Sequence, residues 1–279
     1  MSFSVKTNAG AMAALQSLNA TNQSLSTTQS RINTGLNVSS TKDDSAKYTV
    51  AQTLRGDQGG LASVTSSLNN AKSVVDVAVS GAEQISDLMN DMKSKAYEAA
   101  SATDSGTLSA LQKDYDGLKS QIDSIIKSSD FNGVNLLDSS GGSVSSLQTL
   151  DTSNLLKVGS VNLTSLKGSS TVSLGSLSGS TDLASASSAA TAVTNLDALS
   201  TALNDKLSTL GAASRQIDGQ LDFTSKLSDT IETGIGNLVD ADLAKESAKL
   251  QALQVQQQLG VQALSIANQA PQTILSLFR

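Results

Sequence analysis

LASVTSSLNNAKSVVDVAVSGAEQISDLMNDMKSKAYEAA, residues 61–100, decides the fold. Leu61, Val64, Leu68, Ala71, Val75, Ala78, Ala82, Ile85, Met89, Met92, Ala96 and Ala99 alternate steps of three and four without a miss. That is the spacing at which apolar side chains form one continuous stripe along a helix packed on other helices. Carried back through Leu54 and Val50, the pattern reaches Thr41-Lys42-Asp43-Asp44, where acidic residues suit a helix N-terminus. A helix over 44–100 is expected, roughly 85 Å long at 1.5 Å per residue. Gly56, Gly59 and Gly60 are its weak points, each costing about 1 kcal/mol against Ala.

Outward from this stretch, a turn is expected at 100–106, then a shorter helix carrying Leu108, Leu111, Tyr115, Leu118, Ile122 and Ile125. The run FNGVNLL at 131–137 begins something extended, its Asn-Gly pair marking a turn. Ser, Gly and Thr dominate 139–182, and VNLTSL and STVSLGSL within it look like the strands of a β-hairpin. Helical stepping resumes through Val193, Leu196, Leu203, Leu207, Leu210, Ile217, Leu221, Ile231, Ile235 and Leu238.

The two ends are helical in pattern but carry no charge. Thr7–Ser30 and Leu250–Phe278 contain no Asp, Glu, Lys or Arg. Ala11, Leu18, Leu25 and Ile32 recur every seven residues, with Leu15 and Leu36 on the companion positions. At the other end one stripe runs through Ala248, Ala252, Val255, Leu259, Ala263, Ile266 and Ala270, and a second through Leu243, Leu250, Leu253 and Leu264. A helix apolar on two sides has little face left for bulk water. Its neighbours are most easily supplied by other copies of the chain. The order of segments is nearly palindromic, so the charged parts should pair as a bundle, the uncharged ends with each other, and the insert should sit at the far tip.

Composition excludes several classes of function. Aromatics are 3% of 279 residues and Trp is absent, so the core must be filled by aliphatic side chains, as in helix bundles. A net charge of −6 offers no basic stripe to track phosphates, so nucleic acid is not an expected partner. Histidine and cysteine are absent, which removes the commonest general base, metal ligand and nucleophile. Asp43 and Asp44 beside Lys42 are better read as a helix cap than as a paired-carboxylate or metal site. Met89 and Met92 lie on the stripe and read as packing. No catalytic residue, cofactor or metal is expected. The first 30 residues lack the basic start and apolar run of a secretory signal, and the C-terminal run is broken by glutamines, so membrane insertion is not expected either.

RINTGLNVSSTKDDSAKY at 31–48 resembles the bacterial flagellin signature, an Arg-hydrophobic-Ser/Thr-Gly run leading to a Lys-Asp-Asp/Asn-Ala stretch. FNGVNLL at 131–137, DADLAKE at 240–246 and ANQAPQTILSLFR at 267–279 are similar to three further elements of that family. The match covers about 1–138 and 190–279, in order. The resemblance implies a subunit of the flagellar filament, exported through the flagellum's own machinery without a cleaved signal peptide. It also implies an export chaperone and hook-associated and cap proteins as partners. In the family the paired terminal helices are disordered in the monomer and become the inner tube. The chain departs from the family at Asp91-Met92-Lys93-Ser94-Lys95, where an Arg-x-Arg-Glu-Leu run is common, and at Asn237, where an arginine is often found. Contacts that those arginines make in the family, with neighbours or with the innate immune receptor, do not transfer to these positions.

The expected fold is therefore mainly α, an elongated long-helix coiled-coil bundle with paired terminal helices and a small β-hairpin insert. Residues 1–42 with 240–279 are expected to form the inner filament core, 43–138 with 183–239 the outer tube, and 139–182 a surface insert. The expected assembly core comprises Leu15, Leu18, Leu25, Ile32, Leu250, Leu253, Val255, Leu259, Leu264, Ile266, Leu275 and Leu277. Two other functions compete: a flagellin-like protein at the hook–filament junction, and, more distantly, a soluble helical-hairpin signalling protein. The ANQAPQ ending favours the filament subunit over the first. The charge-free ends, with no membrane anchor, disfavour the second.

Overall fold

A computed structural model describes residues 8–139, 141–165 and 183–277, with side chains at 8–139, 141–164 and 183–269. The described elements are α1 (Ala9–Thr34), α2 (Ser45–Ser101), α3 (Ser105–Ser128), β1 (Ser143–Leu147), β2 (Leu155–Gly159), a 3₁₀ turn (Leu163–Ser165), α4 (Ala186–Val239) and α5 (Leu243–Leu277). The chain divides between Gln58 and Gly59, and between Ser228 and Asp229, into two compact units. α2 and α4 each contribute to both.

The unit Gly59–Ser228 is organised by the stripe on α2. All twelve of its residues from Leu61 to Ala99 are buried. From Val64 onward they share one cluster with Leu111, Tyr115, Ile122 and Ile126 of α3 and with Leu196, Leu199, Leu203, Leu210 and Ile217 of α4. The small residues at Ala71, Ala78, Ala82 and Ala96 let the helices approach while Leu68, Ile85 and Met92 fill the layers between. Ion pairs flank the packing: Lys72 meets Asp218 and Lys93 meets Asp197, both joining α2 to α4.

Short polar devices start and stop the helices. Asp104 accepts a hydrogen bond from the Thr107 amide and begins α3. At its end the FNG turn is a two-residue hairpin: Phe131 and Val134 exchange backbone hydrogen bonds, and Asn132 and Gly133 both have positive φ, 53° and 78°. A type I′ turn requires that geometry, which Asn-Gly supplies at low cost. Asn135 then donates from Nδ2 to the Ile126 carbonyl at 2.6 Å and accepts from the Leu137 and Asp138 amides. The side chain thereby satisfies one of the open carbonyls at the end of α3.

The hairpin forms, but from other strands than VNLTSL and STVSLGSL. β1 and β2 pair antiparallel with Val144 opposite Val158 and Ser146 opposite Leu156. VNLTSL is taken elsewhere: the Val161 and Leu163 amides donate to the Leu136 and Leu137 carbonyls, Asn162 has φ 34°, and the chain enters the 3₁₀ turn. STVSLGSL lies outside the described residues. Val144, Leu156 and Val158 face the helices and join the main cluster. The Leu147 amide donates to Ser67 Oγ of α2, and Gln220 Nε2 of α4 donates to the Gln148 carbonyl.

The other unit contains α1, α5, the first turns of α2 and the last of α4. α2 runs unbroken through Gly56, Gly59 and Gly60. Its stripe does not extend to Val50, which is exposed; Ala51 is buried instead, against Val38 and Val239. The two turns α1–α2 and α4–α5 are tied together through the backbone. The Asn37 and Val38 amides donate to the Val239 carbonyl, and the Ala241 amide donates to the Gly35 carbonyl. Gly35, with φ 72°, ends α1 in the left-handed conformation that a residue with a Cβ adopts only with strain.

Candidate assembly surface

α1 and α5 pack side by side and antiparallel. Asn8 Nδ2 donates to the Ala267 carbonyl at 2.6 Å, Gln257 Nε2 donates to Asn22 Oδ1 at 2.8 Å, and Arg31 Nη1 reaches Glu246 Oε1 at 3.3 Å. The inner side of α1 runs through Ala11, Ala14, Leu18, Thr21, Leu25, Thr28 and Ile32. That of α5 runs through Glu246, Leu250, Leu253, Gln257, Gly260, Leu264 and Ala267. Both step by three and four. Small side chains at the crossings bring the backbones close, and a Cβ on Gly260 would lie 3.2 Å from Leu18 Cδ1.

The two stripes on α5 have different fates. α1 covers most of the one carrying Leu243, Leu250, Leu253 and Leu264: Leu253 is buried and Leu250 and Leu264 are half-buried, but Leu243 is exposed. The stripe through Val255, Leu259 and Ile266 is left bare, with 55%, 58% and 68% of each residue exposed. Ala252 and Ala263 between them are exposed as well. On α1, Leu18, Leu25 and Ile32 are half-buried in the pair, while Leu15 and Met12 are exposed. Of the twelve expected residues, the structure thus brings six, Leu18, Leu25, Ile32, Leu250, Leu253 and Leu264, to the pairing face, and leaves Leu15, Val255, Leu259 and Ile266 open. The side chains of Leu275 and Leu277 lie outside the described residues.

The sequence pattern missed the polar members of the seam. Thr28 is fully buried and Glu246 nearly so, yet Thr28 Oγ1, Arg31 Nε and Glu246 Oε2 find no hydrogen-bond partner. The signal was available: Glu246 precedes Leu250, Leu253, Gln257, Gly260, Leu264 and Ala267 in strict heptad step, but a search confined to apolar residues passes over it. At the base of the pair the 39–44 loop closes around Asp43, whose Oδ2 accepts from the amides and hydroxyls of both Ser39 and Ser40. These donors hold the Asp43 carboxyl below its ordinary value, with the Ser39 hydroxyl the largest cause.

Among the described residues no group of three or more acidic side chains could hold a metal ion, and no helix is long and apolar enough to cross a membrane.

Comparison with known proteins shows the family. The family description "Bacterial flagellin N-terminal helical region" matches residues 5–141, and "Bacterial flagellin C-terminal helical region" matches residues 193–278. The chain belongs to the bacterial flagellin family. Flagellin FljK of Caulobacter vibrioides is 43% identical over 280 residues, covering 99% of this chain and 98% of that protein. A flagellin of Brucella melitensis is 38% identical over 282 residues, covering 99% of each. Flagellin C of Rhizobium meliloti is 33% identical over 321 residues, again covering 99% of each. As a flagellin, the protein is a structural component of the flagellar filament and not an enzyme. The junction-protein and signalling readings are not favoured. The hairpin lies in the interval 142–192, between the two family matches.

Proposed function

We propose that the α1–α5 pair is the element through which this flagellin polymerises. The observation that carries this reading is the bare stripe on α5, apolar side chains open to solvent on a helix that has no charge from Leu250 to Phe278. Covering a Leu side chain contributes about 1.5–3 kcal/mol, so neighbouring copies laid against Val255, Leu259 and Ile266 gain what a lone chain forgoes. Residues 1–42 and 240–279 then form the inner filament core, with Leu275 and Leu277 continuing it. Residues 43–138 with 183–239 form the surrounding tube, and 139–182 lies on its outside. Passage out of the cell uses the flagellar export apparatus and a dedicated chaperone, with hook-associated and cap proteins bounding the polymer at its two ends. Membership of the flagellin family supports this part of the reading.

Leu259→Lys tests the assembly reading. In the unassembled chain a lysine at this exposed position is solvated, whereas within a polymer an unpaired charge costs several kcal/mol, about 3–5 in comparable buried settings. Circular dichroism of the monomer should be unchanged and seeded polymerisation abolished. Filaments of normal length from this variant would sink the proposal; equal loss of helicity and assembly would point to an ordinary intramolecular core.

A further inference from the structure

The α1–α5 seam does not fix, by its spacing alone, where one helix lies along the other. Ala11, Leu18, Leu25 and Ile32 repeat every seven residues, and so do Glu246, Leu253, Gly260 and Ala267. A slip of one heptad, about 10 Å at 1.5 Å per residue, returns seam residues opposite seam residues. Two places resist it. Leu18 packs closely on Gly260, where a Cβ would lie 3.2 Å from Leu18 Cδ1. Arg31 meets Glu246 with the two side chains 26% and 10% exposed. The second place is costly as built, because Arg31 Nε, Glu246 Oε2 and Thr28 Oγ1 are sealed from water without partners. Apolar residues of the same size would hold two helices together at least as well, so stability alone does not account for the pair.

We propose that Arg31 and Glu246 are positioning residues that set the axial register of α1 against α5, with Gly260 the socket that admits Leu18 in that register. Arg31 is the one charged residue of α1. A one-heptad slip in one direction carries Glu246 to the Ser24–Leu25 turn, a buried carboxylate with no cation on the facing helix. In the other direction it lays Leu253 against Arg31 and strips both charges of their partner. Unpaired buried charge is what makes the slipped forms poor, the same means by which a polar core residue fixes register in coiled coils. The inference rests on reading the pair as the assembly element: the bare stripe of α5 and the Met12–Leu15 surface of α1 repeat along a polymer only if every copy holds them at one offset.

The chain contains no cysteine, so introduced pairs report the register directly. Asn22→Cys with Gln257→Cys reports the native offset, and Asn22→Cys with Leu250→Cys or Leu264→Cys the two slips. Cross-linking is run on filaments grown from a small share of each variant mixed with the cysteine-free native chain, and products are dissolved in denaturant and resolved by mass so that links within and between copies are separated. With Arg31 and Glu246 in place, the native pair should link about tenfold more than either slipped pair. In Arg31→Met/Glu246→Leu, helicity should persist while the slipped pairs rise to within about threefold of the native one. The charge-swapped Arg31→Glu/Glu246→Arg chain should return to native-only linking, a recovery that a role in packing alone would not produce. Native-only linking in the apolar variant, or slippage undiminished in the swapped one, overturns the proposal. The links are read in mixed filaments whether or not a variant polymerises alone, so a locked register there upholds the lock even where the Leu259→Lys test counts against the assembly reading.

Discussion

Gly56 and Gly81 sit in the same helix and look alike in sequence, yet their surroundings give substitution at each an opposite sign. A Cβ on Gly56 meets nothing within 4 Å, so Gly56→Ala should stabilise α2 by about 0.5–1 kcal/mol through backbone propensity alone. A Cβ on Gly81 would overlap Ser129 Oγ and lie 3.0 Å from Leu137 Cδ1, where the chain leaving α3 crosses close over α2. Ser129 cannot easily turn away, because its hydroxyl donates to the Ile125 carbonyl at 2.7 Å. Gly81→Ala should therefore cost about 1–3 kcal/mol despite the better helix former. Urea melts of the two variants should move in opposite directions; a common direction would show that the close approach over Gly81 is absent in solution. Periodicity places both glycines on a helix but carries no information about which segment, 48 residues further along the chain, crosses over one of them.

At the scale of elements, long helices were legible and short pairings were not. Twelve stripe positions on α2 determine a face because each burial reinforces the same rotation. A five-residue strand has two or three inward positions, and in a Ser/Thr/Gly/Leu segment many windows offer them, so SVSSL and LLKVG could not be told from VNLTSL. What selects them lies outside the segment: Ser67 and Gln220 receive and hold the hairpin, and Leu136 and Leu137 draw off Val161 and Leu163. The two stripes of α5 were both visible, but which one α1 covers depends on Glu246, Gln257 and Gly260, residues that an apolar pattern omits. Because Leu156 is buried in the main cluster, Leu156→Ala should cost about 2–4 kcal/mol in denaturant melts of the unassembled chain. A cost below about 0.5 kcal/mol, the level of surface substitutions, would make the hairpin a decoration on the bundle. The 39–44 loop yields a pH effect of known sign. Its four donors depress the folded Asp43 pKa below the unfolded 3.8, so the loop's stabilisation is present above that value and fades as pH falls through the lower, folded one. Protection of the Ser39 and Ser40 amides, measured against their intrinsic exchange rates, should fall on acidification through that range in the native chain and be low throughout in Asp43→Asn; pH-independent protection in the native chain would remove the carboxylate from the account.

For the molecule as a whole, the decisive property is that most of its burial lies in Gly59–Ser228, while its open apolar surface concentrates on α1 and α5. Val64 to Ile217 form one cluster that draws on no residue of α1 or α5. Removing residues 250–279 therefore deletes the bare stripe and the partner of α1 without taking a side chain from that cluster. The truncated chain should keep the melting midpoint of its main transition to within about 2 °C, since a loss of even 1 kcal/mol moves a domain of this size by about 2–4 °C. The freed α1, charged only at Arg31 and now uncovered along most of its inner side, should lose helicity, because an isolated helix of this length is marginal in water. Removing residues 1–30 makes the converse test, leaving α5 with both stripes open. Neither chain should polymerise when seeded. Filaments from either would show that contacts outside the α1–α5 pair suffice for assembly, and a large fall in the main transition would show that the ends take part in folding the cluster they do not touch.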